Sequence, residues 1–482
     1  MSEYKIFAKK ISLIGIVNIL VALNSFILLP ILTKYFSVSD YGVWVQVLTT
    51  ISLLPNIVTL GLPYTLIRFL SPEKNEKKIQ EGFYSILIII LIVTSAVSLL
   101  IFIFSHNISL LFGGNVEVAK ILAFLVFFNS LNLLCLSFFR TLNQIRKYST
   151  FLLIQTYLGT LLIYILILCH YNVAETIIGL LIANIITFII MITIISAYIK
   201  FKIPKFVNMK EYLSYGLPII PSNLSYWIVD SSDRYIIGLL LGMSFVGYYS
   251  PGYSLGNFII LILAPFSFLL PTILPQYHIE NNIEKINTFL KYSIKYFLLI
   301  AIPASIALSL LSKPILLIIT TEEIALNGYY VTPFIALSAL LYGIYGIISN
   351  IILLEKKTKV LGIIWIIAAL FNITLTIILV PFIGILGAAL TTLISYVIAF
   401  SVTLYYSYKF FKFEFDIRFI IKSISSAIIM ALIILLLEPK TIISIIISIS
   451  IAFAVYLVLL LLLKGITKAE IIFFMKLIKN KS

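Results

Sequence analysis

Apolar runs of about 20 residues recur along the whole chain, and this feature limits its fold more than any other. Each run is long enough to cross roughly 30 Å of hydrocarbon as a helix. A mean hydropathy of +1.14 with only 11% charged residues excludes a soluble globular domain. Membrane β-barrels are excluded as well, because their strands alternate in short segments and do not form such runs. The sequence therefore predicts an all-α polytopic membrane protein.

We predict fourteen membrane-spanning helices joined by short loops. Their approximate ranges are 11–33, 41–67, 83–105, 118–139, 149–169, 174–199, 212–242, 246–275, 288–311, 328–354, 359–381, 384–408, 418–437 and 441–463. The first run is kept as a span, because it is too long for a signal peptide and no clear cleavage site follows it. Prolines within three of the spans predict kinked helices. They are Pro55, Pro63, Pro218, Pro221, Pro265 and Pro271.

The cations are distributed very unevenly over the two sides of these spans. If the N-terminus is cytoplasmic, 29 of the 34 lysines and arginines fall on the cytoplasmic side. The outer side keeps only Lys34, Lys120, Lys313 and Lys440. By the positive-inside rule, this bias predicts a multi-pass membrane protein with both termini in the cytoplasm; the resemblance described below implies that the membrane is a bacterial cell membrane. The net charge of +15 then reflects topology and attraction to anionic membrane lipids, and does not indicate nucleic-acid binding.

The chain also resembles itself at an offset of about 206–210 residues. "KYFSVSDYGVW" (34–44) matches "LLGMSFVGYYS" (240–250), and "RKYSTFL" (146–152) matches "KKTKVLG" (356–362). A common offset predicts two six-helix lobes in the same orientation, the parallel-repeat plan of transporters with a site between their halves. The predicted lobes are residues 1–205 and 206–410. Residues 411–482 then add two further spans and a basic cytoplasmic tail.

Three ionisable groups interrupt the seventh span, in "YWIVDSSDRYIIG" (226–238). Each of Asp230, Asp233 and Arg234 costs roughly 2.5–3.5 kcal/mol near the middle of a membrane helix, so the polar face must meet water or protein. Asp230 and Arg234 stand four residues apart and can pair on one face. Asp233 is expected to point about 100° away from Arg234 and to share that face poorly. Two interpretations stay open: a structural ion pair, or the lining of an aqueous cavity that contacts a charged substrate or coupling ion.

Other polar and aromatic side chains within the spans are weaker candidates. Arg68 and Arg140 end spans 2 and 4 at the cytoplasmic face, as snorkelling anchors or as the mouth of a cationic cavity. The amides join helices by hydrogen bonds or bind hydroxyl groups. They include Asn24, Asn223 and Asn257. The aromatic residues form an interfacial belt or stack on sugars. They are Trp227, Tyr248, Tyr249 and Tyr253.

Three stretches resemble the oligosaccharide flippases, the O-antigen and capsule repeat-unit transporters of the multidrug/oligosaccharidyl-lipid/polysaccharide exporter superfamily. They are "LLPILTKYFSVSDYGVWVQVLTTI" (Leu28–Ile51), "SYGLPIIPSNLSYWIVDSSDRYIIGLLLGMSFVGYYSPGYSLG" (Ser214–Gly256) and "LVPFIGILGAALTTLISY" (Leu379–Tyr396). The resemblance covers essentially the whole chain. It implies a V-shaped, MATE-like pair of lobes around a positively lined cavity. It also implies a substrate made of a short glycan on undecaprenyl pyrophosphate, moved to the outer leaflet by alternating access.

The resemblance suggests roles for the candidate residues. Arg234 is the first candidate for contacting the pyrophosphate or acidic sugars, as a charge-assisted donor. Arg68 and Arg140 are candidates for capturing the substrate on the cytoplasmic side. Only one arginine lies deep within the predicted membrane spans, beside two aspartates, which is a low count of cations for this family. The low count favours a neutral or weakly acidic glycan, or a coupling cation that binds to the aspartates. Asp230 or Asp233 is accordingly the candidate for coupling to a proton or sodium gradient.

No bound cofactor or metal is expected beyond that coupling ion. The two cysteines, Cys135 and Cys169, indicate neither a disulfide framework nor a metal site. By resemblance only, a polysaccharide polymerase and a chain-length regulator are expected partners.

Three alternatives stay open beside the oligosaccharide flippase. A MATE-type antiporter of small molecules or drugs would use the acids for cationic substrates, and a lipid II flippase would share the span count. A membrane glycosyltransferase or polymerase needs catalytic acids on sizeable outer loops. The longest outer loops, about 106–117 and 312–327, offer only His106, Glu117, Glu322 and Glu323. We therefore expect a transporter and no enzyme.

Overall fold

The structure is a computed structural model that describes residues 3–280, 282–413, 415–466 and 470, and every regular element in these ranges is helical. The helices are α1 (Glu3–Tyr35), α2 (Val38–Val58), α3 (Leu62–Leu70), α4 (Glu76–Ile103), α5 (Ser105–Ser109), α6 (Val116–Thr141), α7 (Ile145–Leu168), α8 (Val173–Ile199), α9 (Met209–Gly216), α10 (Ile219–Ser231), α11 (Asp233–Leu240), α12 (Met243–Asn257), α13 (Ala264–Ile279), α14 (Ile283–Ile319), α15 (Glu322–Gly328), α16 (Thr332–Leu354), α17 (Thr358–Ile383), α18 (Ile385–Phe410), α19 (Ile417–Leu437) and α20 (Ile442–Leu462). Short 3₁₀ turns lie at Leu110–Phe112, Phe258–Leu263 and Tyr329–Val331.

The prediction of an all-α polytopic membrane protein is confirmed. Thirteen helical stretches in the described part are long and apolar enough to cross a membrane. They correspond to thirteen of the fourteen predicted spans. The exception is predicted span 7, because the structure divides residues 212–242 among three short helices, α9, α10 and α11. Most of the basic tail predicted at the C-terminus lies outside the described residues.

Two of the membrane segments have helix interruptions that touch each other. The first separates α2 from α3 at Thr59–Gly61, where Leu60 and Gly61 have φ of +55° and +67°. The second separates α9 from α10 at Leu217–Pro218, and Pro218 has no N–H with which to continue a helix. A Cβ built on Gly61 would lie 2.2 Å from the carbonyl oxygen of Gly216, so the two backbones meet without side chains between them.

Turn hydrogen bonds satisfy the backbone at these interruptions. Leu62 N–H donates to the Thr59 carbonyl at 3.0 Å, and Ile220 N–H donates to the Leu217 carbonyl at 3.2 Å. The Thr65 hydroxyl also crosses to the other segment and donates to the carbonyl of Tyr212 at 3.1 Å. Such pairing is required, because hydrocarbon offers no partner to a freed backbone group. The prolines in spans 2 and 7 thus mark interrupted segments as well as bends.

The first of these segments also contacts α12, the helix that follows the second segment. Gly42 in α2 lies against Met243, the first residue of α12, and Gly247 in α12 lies against Val38, the first residue of α2. A Cβ on Gly42 would be 1.9 Å from the Met243 carbonyl oxygen, and one on Gly247 would be 2.3 Å from the Val38 carbonyl oxygen. The contact is reciprocal, and its two glycines belong to the stretches that the internal repeat aligned.

The chain divides into two compact units. One contains the residues up to Ser250 together with Ile373–Ile385, and the other contains Pro251–Asn372 and the residues from Leu386 onward. The first unit has an apolar core of buried residues from α3, α4, α6, α8 and α9, and the second has its core around α14, α16, α19 and α20. Residues 206–250 thus belong to the first compact unit. The lobe boundaries at 205 and 410, which describe sequence symmetry, stay a prediction.

The glycine contact between α2 and α12 can be tested by adding one methyl group. Gly42→Ala should lower the free energy of unfolding by at least about 1–3 kcal/mol, because the new Cβ meets backbone that cannot move aside cheaply. The measurement is thermal unfolding of the purified protein in detergent. Gly362→Ala in α17 is the matched control, since a Cβ there meets nothing within 4 Å. Equal melting temperatures for the two variants would contradict the close contact.

Candidate functional site

A cavity of about 330 Å³ lies within the first unit, between α2 and α3 on one side and α10 on the other. Its lining residues are polar or aromatic in the majority. They are Ser52, Leu53, Asn56, Ile57, Tyr64, Ile220, Asn223, Leu224, Tyr226, Trp227, Asp230 and Ser231. None of these twelve is a lysine, an arginine or a histidine.

Helical periodicity explains why these residues share the cavity. Residues 220, 223, 224, 227 and 231 of α10 recur at intervals of three and four, which places them on one face of the helix. Residues 52, 53, 56 and 57 of α2 do the same on the facing helix. The interruption at Thr59–Gly61 then turns the chain, so that Tyr64 in α3 also reaches the cavity.

Hydrogen bonds join the two walls of the cavity. The indole N–H of Trp227 donates to Ser52 Oγ at 3.0 Å, and Asn223 Nδ2 donates to the Tyr64 hydroxyl at 3.4 Å. Within the α2 wall, Asn56 Nδ2 donates to the Ser52 carbonyl at 2.8 Å. The bond to Ser52 fixes the plane of the Trp227 ring, and Tyr235 packs edge-on against it at 5.9 Å. The cavity therefore presents an oriented aromatic ring among amides and hydroxyls.

Arg234 and Asp233 form a buried cluster next to the cavity. Arg234 Nη1 donates to Asp233 Oδ1 at 2.9 Å and to the Asp230 carbonyl at 2.6 Å. Asp233 is fully buried, and Arg234 is 8% exposed. The guanidinium lies 5.6 Å from the ring centre of Tyr249, and the Tyr249 hydroxyl donates to the Asp233 carboxylate. The cluster thus ties the start of α11 to α12.

The expectation that Asp233 shares a face poorly with Arg234 is wrong. Asp233 begins α11 after the interruption at Ser232, and its Oδ1 accepts from both the backbone N–H of Arg234, at 2.8 Å, and its guanidinium. The long arginine side chain folds back toward the helix start, so the neighbouring carboxylate is within its reach. Asp230 contributes its backbone carbonyl to the guanidinium, and its carboxylate accepts from Ser231 Oγ at 3.0 Å.

The structure places the remaining candidates at separate positions. Arg68 and Arg140 are exposed at the ends of α3 and α6, and the Arg140 guanidinium lies 5.7 Å from the ring centre of Tyr148. Asn24 is buried and accepts from the Thr160 hydroxyl at 2.8 Å, which joins α1 to α7. Two candidates lie in the second unit. They are Tyr253, which is buried, and Asn257, which is half-buried.

Of the ten predicted site residues, Asp230, Asn223 and Trp227 line the cavity together. Ser52, Asn56 and Tyr64 line it too and were not predicted. A signal for two of them exists in the sequence, because Ser52 and Asn56 are polar, four residues apart and lie within a predicted membrane span. Tyr64 carried no such signal, since its position depends on the turn at Gly61.

The fold is that of a known class of membrane transporters. It is similar to the structure of the lipid II flippase MurJ in an inward closed conformation, with a TM-score of 0.75, 23% identity and coverage of 92% of this chain and 97% of that one. An inward-facing multidrug resistance MATE family transporter of the MOP superfamily has a TM-score of 0.64 and 17% identity, over 82% of this chain and 97% of that one.

Sequence comparison then gives the family. Residues 7–278 match the model of the polysaccharide biosynthesis protein family, which is more than half of the chain, and the chain belongs to this family. Residues 218–378 also match the MatE model. The resemblance stated from the three quoted stretches is thus confirmed at the level of family and fold.

A curated relative matches over a shorter range. The probable low-salt glycan biosynthesis flippase Agl15 of Haloferax volcanii is 24% identical over 216 residues. The match spans 45% of this chain and 45% of that protein, so it covers about half of each. This relative and the two solved structures are all flippases or transporters, in agreement with the expectation of a transporter and no enzyme.

The buried pair predicts a specific pattern of stability changes. Arg234→Met should cost about 3–5 kcal/mol of unfolding free energy, because it leaves Asp233 buried without its cation. The double variant Asp233→Leu with Arg234→Met should cost less than Arg234→Met alone, since no uncompensated charge remains. Thermal unfolding of Arg234→Met, of Asp233→Leu and of the double variant, each purified in detergent, measures these changes. Additive losses in this cycle would show that the two side chains do not interact.

Proposed function

We propose that this protein is a flippase for a lipid-linked glycan. The substrate is an oligosaccharide repeat unit on undecaprenyl pyrophosphate, destined for an O-antigen, a capsule or an exopolysaccharide. The protein moves it from the cytoplasmic to the outer leaflet of the cell membrane by alternating access. The observation that carries the proposal is the polar and aromatic cavity between interrupted membrane segments, in a chain of the polysaccharide biosynthesis family.

The chemistry of such a substrate explains why the cavity is needed. A glycan carries many hydroxyl groups, and each costs several kilocalories per mole to place in hydrocarbon without a hydrogen-bond partner. Asn56, Asn223 and Tyr64 offer donors and acceptors in place of water, and Trp227 offers an apolar ring face. The lipid tail needs no polar environment, because it can stay in the bilayer throughout.

Blocking the cavity in living cells tests this proposal. The gene is deleted and complemented with the wild type, with Leu224→Trp, which fills the cavity, or with Leu239→Trp at an exposed position of α11. We expect the deletion and Leu224→Trp to lose surface polysaccharide and to accumulate lipid-linked repeat units, at equal membrane levels of protein. Leu239→Trp should behave as wild type. Normal surface polysaccharide in the deletion strain would refute the proposal.

A small-molecule antiporter is the second candidate function. Asp230 and the rings of Trp227 and Tyr64 line the cavity together, an arrangement that also suits an organic cation. Hypersensitivity of the deletion strain to cationic drugs, with normal surface polysaccharide, would favour this function. A lipid II flippase shares the carrier chemistry of our proposal, and an essential gene with arrest of cell-wall synthesis would distinguish it.

The proposal includes coupling to an ion gradient. Of the two aspartates, Asp230 is our candidate for binding the proton or sodium ion, because it lines the cavity while Asp233 is buried against Arg234 and Tyr249. Transport in vesicles should then respond to a pH or a sodium gradient, and Asp230→Asn should abolish that response. Transport that is indifferent to both gradients would refute coupling. The polymerase and chain-length regulator remain proposed partners.

The proposed orientation, with both termini in the cytoplasm, can be tested on the native cysteines. Cys169 is exposed at the end of α7, on the proposed outer side, whereas Cys135 is buried in α6. A membrane-impermeant maleimide should therefore label spheroplasts at Cys169 without permeabilisation. The variant Cys169→Ser should lose this labelling until the protein is denatured. If labelling of Cys169 required permeabilisation, the protein would have the opposite orientation in the membrane.

A further inference from the structure

We infer that the cavity binds an uncharged sugar residue of the substrate, and that the carrier's pyrophosphate is held outside it, at Arg68. This inference rests on the proposed function and assigns the parts of the substrate to separate places. It departs from the expectation that Arg234 contacts the pyrophosphate.

The cavity is a poor site for an anion. Its twelve lining residues include no cationic side chain and include the carboxylate of Asp230. A pyrophosphate in this position would lose water without gaining a counter-charge, and a buried charge without a partner is costly. An acidic sugar would meet the same difficulty. The cavity therefore selects uncharged groups.

Arg234 does not remedy this lack. Its guanidinium is buried between the Asp233 carboxylate, the Asp230 carbonyl and the Tyr249 ring. Turning it toward a pyrophosphate would leave Asp233 buried beside Tyr249 without its cation, and breaking a buried pair costs about 3–5 kcal/mol. The side chain thus holds α11 and α12 together, and it is not available to the substrate.

The lining suits a sugar ring in both shape and chemistry. Trp227 is held in one orientation by Ser52, so its ring can serve as a platform for the apolar face of a sugar. Around it, Asn56, Asn223 and Asp230 supply the donors and acceptors that sugar hydroxyls and acetamido groups require. The volume of about 330 Å³ is near the lower end of small-molecule sites, about 300–1,000 Å³. The cavity therefore holds one part of a glycan and not a whole lipid-linked unit.

Arg68 is placed to hold the pyrophosphate next to this sugar. It lies four residues after Tyr64 in α3, so both side chains are on the same face, about 6 Å apart along the helix axis. Tyr64 lines the cavity, and both Tyr64 and Arg68 are exposed. A guanidinium here can bind a phosphate in bidentate fashion without entering the cavity. The separation of one helical turn matches a sugar joined directly to its pyrophosphate.

Binding to the full-length protein in lipid nanodiscs tests the assignment with three probes. They are undecaprenyl pyrophosphate, the same carrier bearing N-acetylglucosamine, and the same carrier bearing glucuronic acid. The wild type should bind the N-acetylglucosamine probe about tenfold more tightly than the bare carrier, and the glucuronic acid probe no more tightly than the bare carrier.

Variants then separate the two places. Trp227→Ala should remove the tenfold advantage of the N-acetylglucosamine probe and leave the affinity for the bare carrier unchanged. Trp227→Phe keeps a ring and should retain most of the advantage, which controls for misfolding. Arg68→Ala should weaken all three probes by the same factor. Arg146→Ala, at an exposed arginine at the start of α7, should change none of them.

Several results would overturn the inference. If Trp227→Ala lowered the affinity for the bare carrier and for the N-acetylglucosamine probe by the same factor, the pyrophosphate would bind in the cavity. An unchanged affinity of Arg68→Ala for the bare carrier would show that Arg68 does not bind the pyrophosphate. If the wild type bound the glucuronic acid probe most tightly, the cavity would not be a site for uncharged groups. A wild type that binds no probe, together with normal surface polysaccharide in the deletion strain, would refute the proposed function as well.

Discussion

Two interrupted membrane segments of this protein touch each other, and the contact between their interruptions is what the rest of the candidate site depends on. Hydrocarbon cannot satisfy a freed backbone N–H or carbonyl, so an interrupted helix is stable in a membrane only against protein or water. Here the turn at Leu60–Gly61 lies directly against Gly216, backbone on backbone. Only glycine allows this approach, because any Cβ at Gly61 would overlap the facing carbonyl.

The cavity follows from this contact. The two segments are joined at Gly61 and Gly216, and α2 is also joined to the start of α12 where Gly42 meets Met243, so the backbone of α2 is fixed at two levels. Between these levels the side chains of α2 and α10 face one another, and Trp227 bonds to Ser52 across the gap. Rigid walls carrying small and polar side chains leave a space that the neighbouring helices do not fill. The site is thus a product of helix interruption, and an unbroken pair of apolar helices would pack closed.

The buried cluster of Asp233, Arg234 and Tyr249 gives this site its electrostatic character. Because the carboxylate and the guanidinium neutralise each other, the charge that first drew notice in the sequence contributes little to the cavity. The lining itself contains one carboxylate, that of Asp230, among amides, hydroxyls and rings. Under the function proposed above, such a surface would receive the sugar, and the charged linkage would be held by an exposed arginine.

The sequence by itself determined the class of fold, since apolar runs long enough to cross a bilayer admit little besides a bundle of membrane helices, and thirteen of them appear in the structure. It also located Asp230, Asn223 and Trp227, because polar groups in a membrane helix are costly and stand out. It could not pair Arg234 with Asp233, because the arginine side chain folds back toward the helix start, a conformation that residue spacing does not reveal. Nor could it place Tyr64, whose position depends on a turn that is stable only against Gly216. The tertiary structure decided the position of Tyr64 and with it the shape of the cavity, since these arise from contacts between segments about 150 residues apart, and local spacing carries no information about such contacts.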